Sequence, residues 1–310
     1  MKFSVYQISC QGGRDDNEDR LGYSYTREAV LLTLADGMGG YYGGELAAEI
    51  AVRVFTQRFL ALARPRLAQP LDFLQHSLLA ANQAIVDHAR ANFLPEQPRT
   101  TLVAAVIQDG RFWSVHAGDS RLYWMRRARV LQRTRDHSYE DKPELFRHLA
   151  PPANRNVLFT CLGNAGPPLY DSLGPCVLQP EDRLLLCSDG LWSVLEDKEL
   201  AAALQVMGLR KAVPTLAELA LERAGCQSDN VSLLGLQWQA SDAQGGPAAA
   251  QPNALNDQEW FSTLMPNGST ASTDAAPIAP ADVFDLQRSE RSIAEIQTAT
   301  GRSARRKPGP

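Results

Sequence analysis

The chain has 310 residues, 44% of them apolar, and a formal net charge of −4. That length allows one large domain or two small ones with a sizeable core, and the acidic balance argues against a nucleic-acid partner. No apolar run reaches the ~20 residues that span a membrane, and the start MKFSVYQISCQGG is too weakly apolar for a signal peptide, so a cytoplasmic location away from membranes is expected.

The segments SVYQIS (4–9), LGYSYT (21–26) and AVLLTLA (29–35) read as strands. Two long helices follow over 44–63 and 71–92, where Leu46, Ile50 and Val54, then Leu71, Leu74, Leu78 and Ile85, repeat at helical spacing. TLVAAVIQ (101–108) and RFWSVHAG (111–118) read as a hairpin turning at Asp109–Gly110. Further strands are expected at RLYWM (121–125), VLFTCL (157–162) and RLLLCS (183–188), and Arg126–Arg127–Ala128–Arg129 reads as a solvated turn. A second helical pair over 197–206 and 211–224 precedes a last strand, NVSLLGLQW (230–238). Strands, two helices, strands, two helices and a strand make an α+β pattern of antiparallel sheets with segregated helices. The five cysteines form no CxxC pair and read as reduced core residues. Residues 1–240 form the expected domain. From 241 to 310 the chain turns rich in Ala, Pro, Gly and Ser, the composition of a largely disordered tail. Within it, Val283, Leu286, Ile293 and Ile296 give 282–299 helical character.

Several aspartates stand at strand ends. Asp36 follows AVLLTLA, Asp119 follows FWSVHAG, Asp189 follows RLLLCS, Asp229 precedes the last strand, and Asp19 closes the run from Arg14. Any one of them beside a glycine is an ordinary turn residue. Together they would converge on one sheet edge, where carboxylates repel unless cations neutralise them. All-oxygen ligation selects hard ions such as Mg²⁺ and Mn²⁺, and two such ions suit phosphate-ester hydrolysis.

The segments RDDNEDR (14–20), LADGMGGYYGGELAAEIA (34–51), TTLVAAVI (100–107), HAGDSRLYWMRRARVLQRTRDHS (116–138), NRNVLFTCLG (154–163), EDRLLLCSDGLWSVLED (181–197) and QSDNVSLLGL (227–236) stand in one order. In that order the chain resembles the metal-dependent protein phosphatases of the type 2C class, particularly the bacterial serine/threonine members. The resemblance implies a β-sandwich of two antiparallel sheets flanked by helix pairs, with two tightly bound Mn²⁺ or Mg²⁺ ions and a third, weaker one. It implies that Asp36 bridges two metals, that the Gly37 carbonyl, Asp189 and Asp229 complete their shells, and that Asp119 with Asp189 holds the third. Glu18 and Asp19 fall where the family orders metal-bound waters, and Arg14 where it holds phosphate, as a planar guanidinium can. Animal members carry a His where this chain has Met38, which donates no proton, so the acid for the leaving group is sought elsewhere, at a water on the third metal. The implied activity is hydrolysis of phosphoserine and phosphothreonine in protein substrates by a monomer opposing a Ser/Thr kinase; the alternative is a catalytically silent phosphatase-like interaction module.

The segment 139–156 stands where the family has a flap beside the active site. His116 reads as a packed strand residue, and His137 and Ser138 as anchors of a loop.

Overall fold

Most strands of this chain are apolar on both faces, and the fold covers both. The structure, a computed structural model, describes residues 1–38, 43–142 and 157–240, and the backbone of two short strands at 261–262 and 271–273. All of these lie within one unit, Met1–Ala275.

Two antiparallel sheets stack face to face. One contains β1 (Lys2–Cys10), β10 (Val231–Ala240), β9 (Arg183–Cys187), β6 (Arg121–Arg126) and β7 (Arg129–Arg133), in that spatial order. The other contains β2 (Arg20–Tyr25), β3 (Ala29–Ala35), β4 (Leu102–Gln108), β5 (Arg111–Ala117) and β8 (Asp171–Val177). Helices α1 (Gly44–Leu62) and α2 (Pro70–Ala91) cover the outside of the second sheet. Helices α3 (Asp189–Trp192), α4 (Asp197–Met207) and α5 (Leu209–Ala224) cover the first.

Strand alternation explains the layering. In β3, Ala29, Leu31 and Ala35 join the helical layer, while Val30, Leu32 and Leu34 face the opposite sheet. In β9, Leu185 and Cys187 pack on the helices, while Leu184 and Leu186 pack between the sheets. A strand buried on both faces reads as an unbroken apolar run, and each fully buried Leu contributes about 1.5–3 kcal/mol. Three apolar clusters therefore hold four layers together.

The expected α+β sandwich is present, with differences of detail. The segment 157–162 forms isolated bridges only, Ser138 with Leu158 and Thr100 with Leu162, in place of a strand. The strand β8 was hidden because DSLGPCV carries a Gly and a Pro and alternates poorly. Arg127 and Ala128 both have positive φ (48° and 57°) in a two-residue turn, as expected there, but Arg126 is no solvated turn residue. It closes β6 and holds the buried Asp182 through two hydrogen bonds of 2.6 and 2.8 Å. All five cysteines are free; only Cys161 and Cys187 are fully buried, and Cys226 is exposed. Inside the region expected to be a disordered tail, β11 (Phe261–Ser262) pairs with β2 and β12 (Ala271–Thr273) with β1, one on the edge of each sheet. The helical expectation for 282–299 and most of the flap segment lie outside the described residues.

Candidate metal centre

Antiparallel pairing brings the end of one strand beside the start of its neighbour. Arg20 pairs with Ala35, so Asp19 and Asp36 flank the same end of one sheet. Leu233 pairs with Cys187, so Asp189 and Asp229 flank the same end of the other. The β5–β6 connection passes between the sheets there and carries Asp119. A cleft of about 670 Å³ opens at this end, lined by Arg14, Glu18, Asp36, Gly37, Asp119, Asp189 and Asp229. Asp19 lies buried beneath it, bonded to the Ser188 hydroxyl that caps β9. The sequence-predicted residues are thus brought together.

Each is fixed by its local backbone. The Asp36 carbonyl accepts from Thr101 N–H and Thr100 Oγ1, both at 2.8 Å, and its own N–H donates to Thr101 Oγ1 at 3.1 Å. At Gly37 a Cβ would come within 2.5 Å of the Gly44 backbone and 2.7 Å of the Glu18 carbonyl, so only glycine lets β3 turn into the cleft. The Asn230 side chain accepts from Glu18 N–H at 2.8 Å and donates to the carbonyls of Gln11 at 2.7 Å and Asp16 at 3.0 Å. It ties the loop bearing Arg14, Glu18 and Asp19 to the strand that follows Asp229. Trp192 Nε1 donates to the Asp119 carbonyl at 3.0 Å, and Arg121 stacks over the Trp192 ring at 3.6 Å. Nothing in the sequence marked Thr101, Ser188 or Asn230 for these tasks. Small polar residues beside strands are common, and only the position of Asn230 directly after Asp229 offered a signal.

The electrostatics are those of crowded anions. Burial first, then Asp19, Asp189, Asp119 and Asp229, push the Asp36 carboxyl well above the usual carboxylate range. Burial, followed by Asp189 and Asp136, lifts Asp119 to about 8. Burial lifts Asp19 to about 7 against the lowering effect of Ser232 and Ser188. Asp189 is held at about 6 by burial and Asp229, with Arg14 opposing. Burial and Glu45 raise Glu18. Arg14, exposed at the cleft, donates to Asp229 Oδ2 at 2.6 Å.

A hard divalent cation fits this donor set. Asp19 Oδ1 is buried and accepts no hydrogen bond among the described residues, while the Ser232 hydroxyl, which shares a 2.8 Å hydrogen bond with Ser9, is near enough to lower the Asp19 carboxyl. An orphaned carboxylate oxygen inside an all-oxygen cluster is costly unless it faces a cation or ordered water. The cleft is also lined by the apolar side chains of Met38, Leu158 and Phe159, together with Cys161 and Arg99.

Comparison with known proteins agrees with this geometry. The family model for protein phosphatase 2C matches residues 9–222. The serine/threonine phosphatase stp of Listeria innocua is 27% identical over 234 residues, covering 71% of this chain and 90% of its own. The crystal structure of the serine/threonine phosphatase Stp1 from Staphylococcus aureus superposes with a TM-score of 0.69 at 27% identity, covering 77% of this chain and 96% of its own. The catalytic domain of the serine/threonine protein phosphatase PstP, solved in complex with two manganese ions, superposes with a TM-score of 0.61 at 28% identity, covering 76% of this chain and 99% of its own. With its sandwich, its converged carboxylates and more than half its length matched, the chain belongs to the protein phosphatase 2C family.

Proposed function

We propose that the protein hydrolyses phosphoserine and phosphothreonine in protein substrates, in opposition to a Ser/Thr kinase, at a centre of two Mn²⁺ or Mg²⁺ ions with a third held more weakly. The observation that carries this reading is the convergence of Asp36, Asp119, Asp189 and Asp229 on one cleft over the buried, under-bonded Asp19. Asp36, the Gly37 carbonyl, Asp189 and Asp229 would hold the pair of ions, and Asp119 with Asp189 the third. Such ions, when bound, supply an activated water and neutralise charge developing on the phosphoryl oxygens.

The chain's own residues do the rest. Arg14 lines the cleft, its side chain 54% exposed, and presents a planar donor fork to incoming phosphate oxygens once it leaves Asp229. Glu18 and Asp19 orient solvent from beneath. Met38 lines the cleft and moves no proton, so departure of the serine or threonine oxygen depends on the Asp119 side of the site. The silent-module alternative would need a broken set of carboxylates, and the set is complete.

Purified protein should release phosphate from a phosphothreonine peptide with Mn²⁺ or Mg²⁺ and stop on chelation. Asp36→Asn should lower kcat by about 10²-fold or more, as loss of a group central to transition-state charge does. Full activity in excess EDTA would overturn the metal reading.

A further inference from the structure

Behind the β5–β6 turn, ligand atoms of His116, His137 and Asp171 lie within 4.8 Å of one another. A metal ion is the first reading of such a set, and the hydrogen bonds argue against it. The Gly118 N–H donates to His137 Nδ1 at 3.1 Å, so the ring carries its proton on Nε2, 3.3 Å from Asp171. A metal on that nitrogen would require an imidazolate. His116 Nε2 donates to the Arg135 carbonyl at 2.9 Å, and the Lys142 ammonium already bonds Asp171.

The same bonds serve another purpose. We propose that His137 is a positioning residue for catalysis: it sets the backbone of Gly118, and through it the carboxylate of Asp119, and ties the cleft wall at Phe159 to the same ring. This rests on the reading that Asp119 assists departure of the leaving oxygen.

Gly118 is held from two sides. His137 N–H donates to the Gly118 carbonyl at 3.0 Å while the His137 ring accepts from the Gly118 N–H. On the other side a Cβ at Gly118, whose φ is +105°, would come within 2.7 Å of the Thr101 side chain. Thr101 also makes two hydrogen bonds with the Asp36 backbone, so the two aspartates are indexed to each other through Thr101, Gly118 and His137. The His137 carbonyl accepts from Phe159 N–H at 3.0 Å, and the two rings lie 5.5 Å apart. Phe159 and Asp119 both line the cleft. The imidazole itself cannot wander. It is 1% exposed, stacks on His116 at 4.6 Å and is fixed in tautomer by Asp171. Loss of such a clamp displaces a reacting group by a fraction of an ångström to an ångström, enough to slow a reaction markedly.

The test compares turnover of a phosphothreonine peptide and an activated aryl phosphate by the Mn²⁺-loaded enzyme. Asp119→Ala should slow the peptide more than the aryl ester, whose leaving group needs less acid assistance. His137→Ala should reproduce that selective loss, about 10-fold on the peptide, and add nothing in the Asp119→Ala background. His137→Asn keeps an acceptor where Nδ1 stands and should retain the wild-type ratio of the two rates. His137→Gln places its amide near Nε2 and should behave like the alanine variant. Should His137→Ala fail to fold, the Asn and Gln pair decides. Equal losses on both substrates, or Asn and Gln variants that behave alike, overturn the proposal. Hydrogen exchange of the Gly118 amide separates this claim from the reading of Asp119. Exchange should quicken in His137→Gln and stay slow in His137→Asn. If Asp119→Ala shows no selective loss, the Asp119 reading falls, and an unchanged Gly118 amide in His137→Gln overturns the positioning as well.

Discussion

At the scale of single residues, the site is a concentration of charge that folding alone would not favour. Asp189 at about 6, Asp19 at about 7 and Asp119 at about 8 all titrate above an unfolded aspartate, near 3.9. The folded protein therefore holds more protons than the unfolded chain between about pH 4 and 8, and its stability falls as pH rises through that window. With chelator present, the melting temperature should be lower at pH 8 than at pH 5. Saturating Mn²⁺ or Mg²⁺ should remove most of the difference, because a cation replaces the protons. A pH-independent melting temperature in EDTA would show that the carboxylates do not repel one another as argued. These aspartates were legible as a set because each ends or precedes an apolar run. Their shifted protonation was not, because it depends on burial and on neighbours distant in the chain, such as Asp19 and Asp189.

At the scale of elements, function depends on how loops are fastened to strands. The loop 11–19 has no regular structure of its own and takes its shape from residues 226–230, which lead into β10. Gly12 and Gly13 pass so close to Asp229 and Cys226 that a Cβ on either would come within 2.2 Å of a carbonyl oxygen. Asn230, 6% exposed, makes the three hydrogen bonds that hold Glu18, Gln11 and Asp16. Asn230→Ala strands those backbone groups and should lower the unfolding free energy by about 1–3 kcal/mol in denaturant titration. It should also cut kcat/KM on a phosphopeptide about 10-fold, because Arg14 loses its anchored loop. An unchanged kcat/KM would show that the loop holds Arg14 without Asn230. Helix α3 is the element least visible in the sequence. Its four residues, Asp189–Trp192, are too few for periodicity to register, yet they aim Asp189 into the cleft and send Trp192 to the Asp119 carbonyl.

At the scale of the molecule, the edges of the two sheets set the terms. Without β11 and β12, β2 and β1 would each present an unpaired edge, a template for association with other chains. Among the described residues, those lining the cleft all lie at or before Asn230. Truncation after residue 240 should leave turnover of a short phosphopeptide within about 2-fold of the full chain. It should raise self-association, seen by light scattering at matched concentration, through the two bared strands. A large loss of peptide turnover would place part of the site in the tail. No helix among the described residues is long and apolar enough to cross a membrane.

Sequence by itself determined the class of the fold and the identity of the converging carboxylates. Unbroken apolar runs demand two covered faces, and Asp at strand ends in a fixed order points to metal-assisted chemistry, whatever the exact packing. The tertiary structure decided what those patterns leave open. Pairing of Leu233 with Cys187 and of Arg20 with Ala35 chose which strand ends meet. The approach of Gly118 to both Thr101 and His137, 17 and 19 residues away along the chain, decided how the backbone next to Asp119 is held. Periodicity and composition report what each segment needs locally. Register, close backbone approach and the side-chain bonds between distant loops exist only once the layers have packed.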